Sequence, residues 1–316
     1  MIKAIRGAAL VAALFVSLAF APAQAAWKSD ASGLTWVANG RLVWKYNLDP
    51  AQGQSYFYPL TFAGKRSLVI ASPEDHPWHY GLWFSWKYIN DSNYWEQDRK
   101  TGRSEGRTSW KLVKLDRKPD GSAFIQLDVT YTGKSGAVDL TERREIRVTP
   151  AARDGSYGIW WNSWFTAGAQ GAVLDRNPMP GEPNGQVNGG YAGLGARLLP
   201  PPTLINFVTE EGPLVRFEGS RARPRTPAIA ANFSEGGKPM GAIAVYSQAD
   251  EAGANVPWYV VDASQTETQM RFFNQSLLAP KAIQLAAGQM LHLSYRIGLA
   301  PAWTPESLKA FGSARK

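Results

Sequence analysis

Apolar and polar residues alternate with a period of two along much of the chain, in short runs bounded by Gly, Pro, Asn and Asp, the pattern of half-buried antiparallel strands. Within 123–131, Leu127, Val129 and Tyr131 fall on one side while Gln126, Asp128 and Thr130 fall on the other. The stretch 291–299 does the same: Leu291, Leu293, Tyr295, Ile297 and Leu299 share one face, and His292, Ser294 and Arg296 share the opposite one. Further strands are predicted at 41–48, 66–71, 108–116, 138–149, 157–166, 240–246 and 258–262, with Asp120-Gly121 as a tight turn between two of them. One helix is expected. It is short and C-terminal, with Thr304 as N-cap, Pro305 in its first position and Gly312 beyond its end.

So many strands with almost no helix predict an all-β fold, a large antiparallel β-sandwich or supersandwich of the galactose-mutarotase-like kind with a short C-terminal helix. Neither an internal repeat nor a linker divides residues 26–316, which read as one domain. The stretch 168–202 is rich in Gly, Pro and Asn and too long for a hairpin connection, the mark of a loop that is either functional or disordered. Its glycines, in 189–195, lack the strand before and the helix after that a dinucleotide fingerprint needs, so a nucleotide site is rejected.

Lys3 and Arg6, an apolar run over 8–21 and the small-x-small triplet Ala23-Gln24-Ala25 make residues 1–25 a cleavable secretory signal peptide. The mature protein is then expected in the periplasm or outside the cell, with no membrane span after signal cleavage. Cysteine is absent, which removes disulfides, thiolate metal sites and a cysteine nucleophile together. The formal net charge is +8, but the basic residues are dispersed. Their local clusters, Arg143/Arg144/Arg147 and Arg221/Arg223/Arg225, accompany no nucleic-acid motif and read as solvated surface, with an acidic sugar or a polyanionic envelope as the alternative.

Chemistry concentrates in 72–86, where Asp75, His76 and His79 alternate with Trp78, Trp83 and Trp86 in a Pro-bent turn. The chain has only three histidines, and two of them lie here. Imidazole beside a carboxylate suits proton transfer or metal ligation. The pair does not have the helical spacing of a zinc protease, and the plain alternative is that both histidines cap the turn. His76 and His79 are therefore taken as catalytic candidates, with Asp75 orienting an imidazole and Glu96 as a second proton carrier. Trp78, Trp95, Tyr191, His292 and Arg296 are the candidate binding residues. Indole faces suit the C–H face of a sugar ring; Trp78 and Trp95 are expected to be accessible and Trp83 buried. No cofactor is required, and a divalent metal at the histidines is left open.

Three stretches, Tyr56-Phe57-Tyr58-Pro59-Leu60, the run from Ser72 to Trp86, and Asn93-Tyr94-Trp95, resemble in order and spacing the bacterial family commonly labelled "methane oxygenase PmoA". The resemblance extends more weakly through 189–194 and Arg271-Phe272-Phe273-Asn274 to the C-terminal strand. It implies a β-protein from bacteria that degrade complex carbohydrates. Asp75, His76 and His79 match the family pattern position by position. Trp78 and Tyr80 replace a histidine and an arginine of that pattern, and Tyr58 replaces the histidine before Pro-Leu, so a site built on all the family's histidines is depleted here. Methane oxidation does not fit a chain with one removable apolar segment and three histidines, and the label is read as a naming accident. The expected function is that of a carbohydrate-active protein, an enzyme acting on a glycoside or sugar derivative by His/Asp acid–base chemistry. The alternatives are a non-catalytic glycan-binding or envelope protein and, more remotely, a metal-dependent oxygenase.

Overall fold

A computed structural model of the chain describes residues 26–248 and 256–313; the signal-peptide reading of 1–25 lies outside them. Two nine-stranded antiparallel sheets dominate. The first runs Ala26–Asp30, Gly33–Ala38, Arg41–Asn47, Tyr56–Leu60, Leu82–Ser85, Gly193–Arg197, Arg271–Gln275, Trp258–Asp262 and Arg221–Ala222. The second runs Gly212–Pro213, Leu204–Thr209, Ala228–Glu235, Lys238–Gln248, Met290–Ala300, Tyr157–Ala167, Val138–Val148, Ala123–Thr132 and Arg107–Arg117. A four-stranded sheet made of Ile283–Leu285, Ala172–Asp175, Tyr88–Ile89 and Ser92–Asn93 is paired with neither, though its Ile89, Leu174 and Leu285 join the same core.

The inner faces meet in one apolar core, in which Tyr46 and Phe57 of the first sheet touch Trp161 of the second, with ring centroids 6.2 and 6.4 Å apart. The period-two pattern explains this. Tyr157–Ala167 buries every second residue, Tyr157, Ile159, Trp161, Ser163 and Phe165 among them, while the residues between are half-exposed. Met290–Ala300 turns Leu291, Leu293, Tyr295, Ile297 and Leu299 inward as predicted. Its other face is also covered at one end. The helix Pro305–Ser313 lies there, with Leu308 fully buried against Val208, Ala228, Ala230 and Ala244.

Thr304 caps this helix by accepting the Ser307 N–H at 3.2 Å, as expected, but Gly312 falls inside the helix. The predicted strand 66–71 is instead a series of isolated bridges, because successive residues change partner: Ser67 to Thr61, Val69 to Leu198, Ala71 to Tyr80. The long loop contains two strands, Ala172–Asp175 and Gly193–Arg197, which leaves 176–192 as the true connection. No helix among the described residues is long and apolar enough to cross a membrane.

Candidate active site

On the first sheet, residues that alternate with the core-facing ones carry Tyr56, Trp83, Phe272 and Tyr259 to the outer face. Three excursions cover that face and build a second aromatic cluster with them. The 72–79 excursion is tied at its neck by the Ser72 N–H to the His79 carbonyl (2.7 Å), and two turns inside it close from His76 N–H to Pro73 and from His79 N–H to His76. These turns set the two imidazoles face to face, 4.7 Å apart and 23° from parallel. Gly81 ends the excursion with φ +75°, and a Cβ there would come within 2.4 Å of the Phe57 carbonyl oxygen, so this position needs glycine.

Arg197 sits at the neck. Its N–H bonds Gly81 and its carbonyl accepts from Ile70, so both arms of the excursion fix its Cα. From there the buried guanidinium reaches inward: Nη2 donates to both Asp75 oxygens at 2.9 and 2.7 Å, and Nη1 donates to His79 Nδ1 at 3.3 Å. The second Asp75 oxygen also takes His76 Nδ1 at 2.8 Å. Burial works against the Asp75 carboxylate, but the hydrogen bonds and charges of Arg197 and His76 outweigh it and hold the group below the usual carboxylate range.

These bonds assign the ring protons. An ionised carboxylate only accepts, so His76 carries a proton on Nδ1, and in the neutral form of the ring the lone pair is on Nε2. A guanidinium only donates, so His79 has its lone pair on Nδ1 and its proton on Nε2. Burial, then the charges of His76 and Arg197, push the His79 pKa well below the ordinary imidazole value. His79 is therefore a neutral donor, and the His76 side chain beside it is about one-third exposed.

The opposite wall comes from 87–96 and 187–191. Glu96 accepts from the Tyr191 hydroxyl on one oxygen and from Lys87 and Asn93 on the other. Burial, then the Glu96 charge, raises the Tyr191 pKa far above the ordinary phenol. Arg223 holds the loop by donating to the Val187 and Gly189 carbonyls at 3.1 and 2.8 Å while lying over the Tyr259 ring. Gly189 is needed there, since a Cβ would overlap the Pro178 carbonyl. Between the walls lies a cleft of about 280 Å³, lined by His76, Trp78, His79, Trp95, Glu96 and Tyr191 from the predicted set, and also by Asn188, Arg221, Tyr259 and Phe272.

Asp75, His76, His79, Glu96, Trp78, Trp95 and Tyr191 therefore come together. Four expectations change. His292 is on the outer face of the other sheet, its ring stacked on the cross-strand neighbour Trp164 at 4.8 Å, with the whole core between it and the cleft. Arg296, on the same strand face, lies over Tyr246 and reaches the helix carbonyls of Phe311 and Gly312. Glu96, expected as a second proton carrier, lines the cleft but has both oxygens engaged, one by the Tyr191 hydroxyl and the other by Lys87 and Asn93. Trp95 is only 4 % exposed, packed between Trp83, Tyr191 and Phe272, while Trp78 is half-exposed and Trp83 buried as expected.

Sequence reasoning passes over Arg197, hidden in a glycine-rich stretch, and reads Arg221 and Arg223 as solvated surface. It also passes over Tyr259 and Phe272, although Phe272 lies in a segment that carries the family resemblance. Their signal is strand alternation: each is the outward residue of a strand whose neighbours are core.

Fold and site together define an antiparallel β-sandwich with an aromatic-walled cleft and an Arg–Asp–His chain at its mouth. Residues 34–311 match a family of unknown function (DUF6807), and the chain belongs to that family. No curated protein matches it significantly. Among solved structures it is similar to the Slr1438 protein from Synechocystis sp. PCC 6803, at 7 % identity and TM-score 0.43, over 91 % of this chain and 100 % of that one. It is also similar to an alpha-galactosidase from Lactobacillus brevis, at 9 % identity and TM-score 0.43, over 84 % of this chain and 38 % of that one.

Proposed function

We propose that this protein is a periplasmic or secreted carbohydrate-active enzyme in which His76 transfers the proton. The observation that carries the reading is the chain Arg197–Asp75–His76, which ends at the cleft: a fixed carboxylate orients one imidazole so that its unprotonated nitrogen is the one left for a ligand. Trp78, Tyr191, Tyr259 and Phe272 supply flat apolar walls for a sugar ring, and the His79 Nε2–H supplies a donor for one of its hydroxyls.

The charge pairing narrows the chemistry. Glycoside hydrolysis by two carboxylates needs one acid and one base or nucleophile facing the scissile bond. Here Asp75 is tied to Arg197 and His76, and Glu96 to Lys87, Asn93 and Tyr191. A single imidazole base favours proton removal from carbon or a hydroxyl, the chemistry of an epimerase or lyase, over two-carboxylate hydrolysis. A metal-dependent oxygenase is not supported: among the described residues no three His, Cys, Asp or Glu side chains are arranged so that they could hold a metal ion, and both Nδ1 atoms already have partners.

The same aromatic walls also suit a non-catalytic glycan-binding protein. The test is a panel of glycans and sugar derivatives offered to the purified mature protein and to His76→Gln. Turnover by the wild type that is lost in His76→Gln, with ligand binding kept, supports the enzyme. Binding without turnover in both leaves the glycan-binding reading, and turnover unchanged in His76→Gln removes His76 as the base.

A further inference from the structure

We infer that the sugar taken by this cleft carries a carboxylate, a uronic acid unit, and that Arg221 is the residue that reads it. The inference rests on the carbohydrate reading of the cleft and adds a substrate class to it. The cleft carboxylate Glu96 is already matched by Lys87, and Asp75 behind His76 by Arg197. Arg221 and Arg223 are not, since neither forms an ion pair with any described residue.

Arg221 lines the cleft from the edge strand Arg221–Ala222, whose neighbour Trp258–Asp262 brings Tyr259 beside it. Its Nε donates to the Tyr259 hydroxyl at 3.0 Å and its Nη1 to Ser220 Oγ at 3.2 Å, which hold the plane of the guanidinium and leave Nη2 without a partner among the described residues. A fork held in place this way matches a planar carboxylate. Arg223 adds a second cation behind the Tyr259 ring, with Nη1 buried and lacking a partner. Burial lowers its pKa, and the cation stays there without a matching anion. An anion entering the cleft would balance both. A sugar carboxylate also places its acidic C–H next to the charged group, within the chemistry of the one base, His76.

The carboxylate source is distinguished from other anions by titrating mature protein, followed by tryptophan fluorescence and calorimetry, with glucuronate and galacturonate oligosaccharides, their neutral counterparts and sugar phosphates. Uronates are expected to bind about tenfold tighter than neutral counterparts, the scale of a charge-assisted fork. Arg221→Gln should erase that preference and Arg221→Lys should keep part of it. Equal binding of neutral and acidic sugars, stronger binding of the phosphates, no binding of any of them, or a preference that survives both substitutions would overturn the inference. If Arg221→Gln does not fold, Arg221→Lys and the loss of uronate binding with added salt decide it. His76→Gln separates the two readings: it should keep uronate binding while losing turnover, and turnover of neutral sugars would sink the carboxylate while leaving the enzyme.

Discussion

One nitrogen of Arg197, Nη2, bonds both oxygens of Asp75, at 2.7 and 2.9 Å, while the other terminal nitrogen holds His79. The whole histidine turn therefore depends on a residue more than a hundred positions away in sequence. Breaking this contact acts on both imidazoles at once. Arg197→Ala should cost about 2 kcal/mol of stability, less than a fully buried pair because Asp75 reaches solvent. It should also remove ligand binding in the cleft. Arg197→Lys, which keeps the charge and loses the fork, should recover stability more than binding. Thermal melts alongside ligand titrations check this; a variant that melts early yet binds normally would make Arg197 a structural tie only.

Acidification should destabilise the protein in two stages. His79 has a folded pKa below its ordinary 6.5, and Asp75 a folded pKa below its ordinary 3.8. In both cases the unfolded chain binds protons more readily, so stability rises with pH through each range. The His79 contribution is complete above about pH 6.5 and is lost as pH falls toward its depressed folded value. The Asp75 contribution is complete above about pH 4 and is lost as pH falls through its folded value. Melting temperature should therefore decline from near neutrality downward. His79→Gln should flatten the upper part of the decline and leave the lower part. A wild-type profile that stays level until the carboxylate range would show that His79 protonates freely.

The outer-face position of His292 gives a contrasting expectation. His292→Ala removes a ring stack on Trp164 and should cost about 1 kcal/mol of stability. Ligand binding in the cleft should not change. A loss of binding with an unchanged melt would place this histidine in the functional surface after all.

What the sequence discloses follows the range of the interactions. Strand alternation is local, so the inward set of Met290–Ala300 and the helix cap at Thr304 are legible in the sequence alone. The 72–86 motif is legible because its histidines, carboxylate and indoles are neighbours along the chain. The place of His292 is not, because alternation gives the face of a strand without saying which of two sheets owns it. Those of Arg197 and Arg221 are not, because a buried and a solvated arginine look the same until the partner, Asp75 or Tyr259, arrives from a distant segment. Arg144 shows the limit most sharply: it sits in a basic run, between Arg143 and Arg147, yet its side chain lies wholly inside the core.

That buried arginine leads to the largest stability effect expected. Glu142 and Arg144 are two apart on Val138–Val148, on the core-facing side with Leu140 and Ile146. Glu142 accepts from Arg144 Nε and Nη2 at 2.7 and 2.8 Å, from the Tyr131 hydroxyl at 2.6 Å and from Ser163 Oγ at 2.5 Å. Arg144 also donates to Ser55 at 2.8 Å and lies over Trp161, which links the two sheets through one polar network. Burial opposes the charge on Arg144, but Glu142 outweighs it and raises the arginine pKa well above its ordinary value. Removing one partner leaves the other charged and dry. Glu142→Ala or Arg144→Ala should each cost about 3 to 5 kcal/mol, whereas the paired change Glu142→Leu with Arg144→Met should cost far less, because neither charge is then stranded. Denaturant melts of the three variants measure the coupling directly. If the double variant were as unstable as either single one, the pair would be needed for the shape of the core and not only for its charge balance.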